Sequence, residues 1–191
     1  MPDAEGVALH DAALDAARTV GGPLLEVGTY CGKSAVYLGG AARTADTVLY
    51  TVDHHRGSEE NQAGWAHHDA EVVDPRTGRM DTLPFFRRTI EEAGLEGVVV
   101  AIVGPSVQVS RAWGSDVGLL FIDGGHALDV AMADYAGWAK FVRPGGILAI
   151  HDVFERETEG GRAPFEIWKR ACVDGFAPRS TTGSLRLLTK R

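Results

Sequence analysis

The sequence predicts one α/β domain, a mostly parallel sheet of seven strands with helices on both faces and an antiparallel hairpin at its C-terminal end. The stretch 24–38 reads as a short apolar strand, a turn bounded by Gly28 and Gly32, and a helix starting at Ser34. A chain leaving a buried parallel strand has to turn sharply at such a point, and only glycine takes positive φ without steric cost. Two later apolar runs, 119–122 and 147–150, finish in ionisable residues, Asp123 and His151-Asp152. The last two strand-like segments, 176–179 and 184–188, have only Thr181-Thr182-Gly183 as their turn. Parallel pairing needs a crossover far longer than that, so these two must be antiparallel.

The remaining elements follow in order. An alanine-rich helix is expected over 6–20, within a leading segment 1–22, with Val7, Ala8, Leu14 and Ala17 on its apolar stripe and Gly21-Gly22-Pro23 as its stop. A crossover helix over 34–42 leads to a β-branched strand, 47–52, closed by Asp53. Residues 54–81 form the least regular part, holding His54-His55, Trp65 and His67-His68. A loop of that length inside a domain is either functional or a polar insertion, and its aromatic and amide groups suit a polyhydroxylated acceptor. A helix from Thr82 to Ala93 capped by Gly94, a third buried strand over 98–103, a turn at Gly104-Pro105-Ser106 and a helix over 128–141 complete the crossovers. On the last of these, Leu128, Ala131, Met132, Tyr135 and Trp138 recur at helical spacing and read as core. A turn at 143–146 feeds the strand 147–150, and 165–172 reads as helical.

Length and charge set limits. With 191 residues the chain is a single domain, 1–191. A formal charge of −7, with Lys and Arg scattered, argues against a nucleic-acid partner. Cys31 and Cys172 are too few for a disulfide framework, and no apolar run approaches the roughly 20 residues that span a bilayer. The acidic start Met-Pro-Asp-Ala-Glu lacks a signal-peptide core. A soluble cytoplasmic protein follows, without a membrane partner and with room for a homo-oligomer.

Three nucleotide-site readings compete for the glycine turn. A dinucleotide fingerprint needs a glycine where Tyr30 stands. A P-loop needs four residues between its glycines, whereas Thr29, Tyr30 and Cys31 are three, although Lys33-Ser34 and the apolar strand ending at Asp123 fit it. In the third reading Glu26 precedes the first glycine, and a carboxylate beside the ligand suits a cation better than a phosphate. S-adenosylmethionine carries such a cation.

Leu24-Leu25-Glu26-Val27-Gly28-Thr29-Tyr30-Cys31-Gly32-Lys33-Ser34, Phe121-Ile122-Asp123-Gly124-Gly125-His126 and Gly145-Gly146 through His151-Asp152-Val153 together resemble class I S-adenosylmethionine-dependent methyltransferases. Within that class the chain is similar to small metal-dependent O-methyltransferases acting on sugars, of the macrolide-sugar and methylmannose-oligosaccharide type. The resemblance implies a Rossmann-like class I methyltransferase fold, with S-adenosylmethionine held by Glu26, Gly28, Thr29, Tyr30, Gly32, Ser34, Asp53, His54, Ser106 and Asp123. Asp53, closing the second strand, is placed to accept the ribose hydroxyls, and Ser106 matches a residue lying against the adenine. The family's metal ligands map onto Asp123, His151 and Asp152, with a histidine at 151 where relatives mostly have a carboxylate. Carboxylates favour magnesium, and the imidazole moves the balance toward manganese. His126 falls at the general-base position. Cys31 reads as a small buried turn residue.

The expected activity is therefore metal-dependent O-methylation of a small hydroxylated acceptor, a sugar or oligosaccharide. A catechol or phenol is the alternative on the same fold. A P-loop-like nucleotide-binding protein, or a methyltransferase-like binding module without turnover, is the alternative from another class.

Overall fold

The apolar run that opens the glycine turn becomes β1 (Leu24–Val27), buried at every residue, and it lies at the centre of the sheet. The computed structural model describes residues 1–57, 69–125, 127–156 and 160–191. On one side β1 pairs in parallel with β2 (Leu49–Asp53), which carries, beyond the short hairpin β3 (Val73–Asp74) and β4 (Arg79–Met80), the strand β5 (Val99–Val103). On the other side it pairs in parallel with β6 (Val117–Ile122), followed by β7 (Val142–Ile150). The antiparallel β8 (Phe176–Thr182) and β9 (Leu185–Lys190) close that edge, giving the order β5-β2-β1-β6-β7-β9-β8. The strand order reverses between β1 and β6, and ligands of open α/β sheets bind at the carboxyl ends of strands at such a point.

The alternation of side chains along β1 assigns the two faces. Leu24 packs with Leu119 and Phe121 under α1 (Asp3–Thr19), α2 (Lys33–Thr44) and α3 (Leu83–Glu92). Leu25 and Val27 pack on the opposite face with residues of α5 (Leu128–Trp138) and α6 (Ala163–Val173). Trp138 is fully buried there, so the stripe over 128–141 is core as expected, except that Leu128 is exposed. No helix among the described residues is long and apolar enough to cross a membrane.

Four details differ from the sequence reading. The buried stripe of α1 is Glu5, Gly6, Leu9, Ala12, Ala13 and Ala16, while Val7 is 53% exposed. Small residues decide this face: a Cβ on Gly6 would collide with the Tyr37 ring, so glycine lets α1 and α2 approach closely. β5 is an edge strand with Val100 and Val103 exposed, because it has β2 as its one neighbour. Ser106 begins a short helix, α4 (Ser106–Ala112), where a turn was expected; its β-branched Val107 and Val109 carry weak helix propensity. The glycines 145 and 146 lie inside β7, with φ +79° at Gly145, and do not precede it.

Within 54–81, the described part forms the β3–β4 hairpin with Val72 and Met80 buried. Trp65, His67 and His68, with the amide groups of Asn61 and Gln62 expected to suit a polyhydroxylated acceptor, lie outside the described residues.

Gly28 is the tightest backbone position of the central turn. Its φ is +85°, and a Cβ there would stand 2.3 Å from the carbonyl oxygen of Asp123. Gly78 also has positive φ, +66°, but faces open space. Gly78→Ala should therefore cost only the left-handed penalty of about 1–2 kcal/mol. Gly28→Ala adds a backbone collision and should destabilise by several kcal/mol more, measured by urea unfolding. Equal losses in the two variants would show that the ends of β1 and β6 are not held at this separation.

Candidate active site

Register places the site. Val52, Val27, Ile122 and Ile150 form one row across β2, β1, β6 and β7. Asp53, Gly28, Asp123 and His151 follow them by one residue, so the four strands present these groups side by side at one edge. The ladder runs past the strand ends, since Gly28 N donates to Val52 O at 3.1 Å, Asp123 N to Val27 O at 2.9 Å and His151 N to Ile122 O at 3.1 Å.

A cleft of about 1010 Å³ opens over this row. Gly28, Thr29, Tyr30, Ser34, Asp53, His54, Ser106, Asp123 and Asp152 line it, whereas Glu26 and Gly32 stand behind the turn. Asp53 braces the turn: its Oδ2 accepts from Thr29 N at 2.8 Å and Tyr30 N at 3.0 Å, and its Oδ1 accepts from His55 N at 2.7 Å. Tyr30, itself at φ +51°, donates its hydroxyl to Asp69 at 3.2 Å. His54 is exposed at the rim and accepts from Arg56 N. His55 is buried and tied to Thr82 Oγ1 at 2.8 Å, with burial lowering its pKa, so it pins the loop to α3. Cys31 is half-buried on the cleft wall; burial, with Asp69 and Asp53 adding to it, pushes its thiol up to about 11. It is therefore not a thiolate nucleophile.

Glu26 is fully buried on the face shared by α2. Ser34 Oγ donates to its Oε1, and its Oε2 has no hydrogen-bond partner of ordinary geometry among the described residues. Burial raises its carboxyl to about 8, against the Ser34 bond and with the Asp123 charge adding to the rise. At neutral pH the folded protein holds this group largely protonated.

On the other side of the row, His151 is 5% exposed and has acidic groups at both ring nitrogens. Nδ1 stands 3.0 Å from Asp123 Oδ1 and 3.2 Å from Asp152 Oδ1, and Nε2 stands 2.9 Å from Glu5 Oε2. Burial opposes its charge, but the Asp123 and Asp152 carboxylates, with Glu5, outweigh it and push the imidazole up to about 10. Asp152 has φ +54°, an uncommon backbone state that turns its carboxylate back toward the row.

Asp123, His151 and Asp152 each offer a ligand atom, all within 4.8 Å of one another. Two ligands at right angles on an ion about 2.1 Å away stand about 3.0 Å apart, which is the spacing seen between Nδ1 and the two carboxylates. The donor set of two carboxylates and one imidazole fits magnesium or manganese. His126 lies outside the described residues.

Two groups escaped the sequence reading. Asp134 on α5 is buried at the cleft floor, its carboxyl raised by burial while the Ser106 hydroxyl bonds to it. Trp138 Nε1 donates to Ser106 Oγ at 2.7 Å, so the residue expected at the adenine is held from beneath by two α5 side chains. Glu5 is the other, and in an exposed-looking first helical turn nothing marked it as buried.

A family model described as a methyltransferase domain matches residues 25–153. The chain belongs to this methyltransferase family. The match spans the glycine turn and all three proposed metal ligands, and it removes the P-loop reading of the turn. Among solved structures, the chain is similar to an O-methyltransferase from Bacillus cereus in complex with SAH, at 16% identity and TM-score 0.68, covering 100% of this chain and 82% of that one. It is similar to the O-methyltransferase NovP at 13% identity and TM-score 0.70, covering 96% and 78%. It is also similar to CalS11, described as a TDP-rhamnose 3′-O-methyltransferase, at 12% identity and TM-score 0.68, covering 96% and 78%. These likenesses fix the fold as a Rossmann-like methyltransferase sheet.

The state of Glu26 has a pH signature. Its folded value of about 8 lies above the ordinary 4.5, so between those limits the folded protein keeps a proton that the unfolded chain releases. Stability should then fall as pH rises through this window, by up to about 1.4 kcal/mol per pH unit. Glu26→Gln removes that dependence. Its stability relative to wild type, from urea unfolding, should improve by on the order of 3 kcal/mol between about pH 5 and about pH 8. Parallel curves would mean that Glu26 is ionised when folded.

Proposed function

We propose that the chain is an S-adenosylmethionine-dependent O-methyltransferase that acts on a hydroxyl of a small carbohydrate with a divalent cation at Asp123, His151 and Asp152. The observation that carries this reading is the row Asp53, Gly28, Asp123, His151 at one sheet edge: Gly28, Asp53, Asp123 and Asp152 line one cleft, and His151 is buried against Asp123 and Asp152. The description of CalS11 as a sugar-nucleotide methyltransferase supports a carbohydrate acceptor.

In this reading the braced turn receives the cofactor. Asp53 lines the cleft, and its oxygens keep acceptor capacity for the ribose hydroxyls beyond the three backbone bonds. Thr29, Tyr30 and Ser34 would hold the methionine portion, His54 would border it at the rim, and Ser106, with Asp134 beneath it, would meet the adenine. Glu26 and Gly32 hold the turn from behind, and Glu26 regains its charge when the cofactor's ammonium approaches. A bound magnesium or manganese ion would supply Lewis acidity that makes an acceptor hydroxyl easier to deprotonate. His126, three residues past Asp123, serves as the base that takes the hydroxyl proton. The oxygen then attacks the sulfonium methyl carbon in line, the carbon–sulfur bond breaks, and both electrons return to sulfur as S-adenosylhomocysteine forms.

The test uses labelled methyl donor and a panel of sugar nucleotides, free oligosaccharides and catechols, with and without chelator. Methylation of a carbohydrate, lost on chelation and restored by magnesium or manganese, is expected. Turnover of catechols alone would move the assignment to the phenol reading, and full activity in excess chelator would remove the cation.

His126→Ala isolates the proton transfer. Single-turnover methylation should fall by roughly 10²–10⁴-fold while S-adenosylhomocysteine affinity stays at the wild-type value. A rate within a few-fold of wild type would exclude His126 as the base.

A further inference from the structure

Glu5 is a buried carboxylate on the first turn of α1, 3% exposed, in a stretch of the sequence far from the turn and strand ends that build the cleft. A buried carboxylate is costly unless each oxygen is satisfied. Here Oε1 accepts from Ser184 N at 2.6 Å and Ser184 Oγ at 3.0 Å, at the tip of the β8–β9 hairpin, and Oε2 meets His151 Nε2 at 2.9 Å. The hairpin tip closes over the same group, since a Cβ on Gly183 would collide with Glu5 Oε1. The imidazole is thereby gripped at one nitrogen while the other faces Asp123 and Asp152. Metal-bound histidines characteristically have such an acceptor behind the ligating nitrogen, and it sets both ring orientation and basicity.

From this geometry we infer that Glu5 is a positioning residue for a metal-ligating His151: it accepts from Nε2–H and directs Nδ1 at the cation shared with Asp123 and Asp152. The inference rests on the metal site of the proposed function. A purely structural Glu5 would staple α1 to the hairpin and nothing more. The arrangement differs from a staple because the hairpin bonds use one oxygen only, and the second oxygen is spent on the ring. The N-terminal helix thus becomes part of the site.

Manganese affinity measured by electron paramagnetic resonance in wild type and Glu5→Gln, without acceptor, tests this. A weakening of about 10–100-fold is expected in the variant, with S-adenosylhomocysteine affinity unchanged. Equal manganese affinity in the two proteins, even if Glu5→Gln unfolds at a lower temperature, would overturn the positioning role and leave the metal site standing. Absence of manganese binding in wild type would bring down the metal site and the positioning role together. If Glu5→Gln does not fold, the ring-nitrogen spectrum of wild type with magnesium decides: His151 should carry its proton on Nε2 with Nδ1 unprotonated. A proton retained on Nδ1 would overturn the assignment.

Discussion

The parallel register of β2, β1, β6 and β7 is the constraint on which the site depends. Each strand contributes one residue beyond the row Val52, Val27, Ile122, Ile150, and the hydrogen bonds continue past the strand ends to Gly28, Asp123 and His151. A slip of one residue in any pair would move its terminal group along the edge and exchange the two faces of that strand. The fully buried runs of β1 and β6 make such a slip expensive. Core packing, not the polar residues, therefore aligns the chemistry.

Two buried glutamates show how the same charge problem is solved twice. Glu26 is met by hydroxyls and by no cation among the described residues, so burial prevails and the group gives up its charge. For Glu5 burial also works to raise the carboxyl, but the His151 ring and Ser184 prevail and hold it below its ordinary value. The protein thus keeps one carboxyl neutral near the cofactor turn and one ionised beside the acidic cluster.

The central fold was legible because its signals are local. The runs 24–27 and 119–122 are apolar and are closed by glycine or aspartate, and the C-terminal hairpin follows from its short turn. The face of α1 was legible only in part: Ala8, Leu14 and Ala17 pack half-buried against the core and Val7 is exposed, while the centre of the buried face is the glycine and alanines that let α2 come close. Periodicity counts hydrophobicity and is blind to how near two helix axes can pass. The same limit hid Glu5, since an acidic residue in a first helical turn ordinarily favours the helix dipole at the surface. At His151 the sequence indicated a ligand but not the third carboxylate behind it, because that contact spans 146 positions.

The two sides of the cleft are built differently, and this bears on what each can specify. The glycine-turn side is a backbone structure: the turn amides of Thr29 and Tyr30, with His55 N, converge on Asp53, and Gly28 admits no side chain. Such a turn tolerates little change and suits one invariant ligand. The opposite side is made of side chains at the ends of β6 and β7, Asp123 and Asp152 among them, where a substitution alters shape or charge without disturbing the sheet. A chain can accordingly share a methyltransferase fold with enzymes at 12–16% identity, and keep the glycine turn in register, while its acceptor pocket is its own. The register fixes which groups meet at the sheet edge, and the side chains around the cleft can change without moving that row.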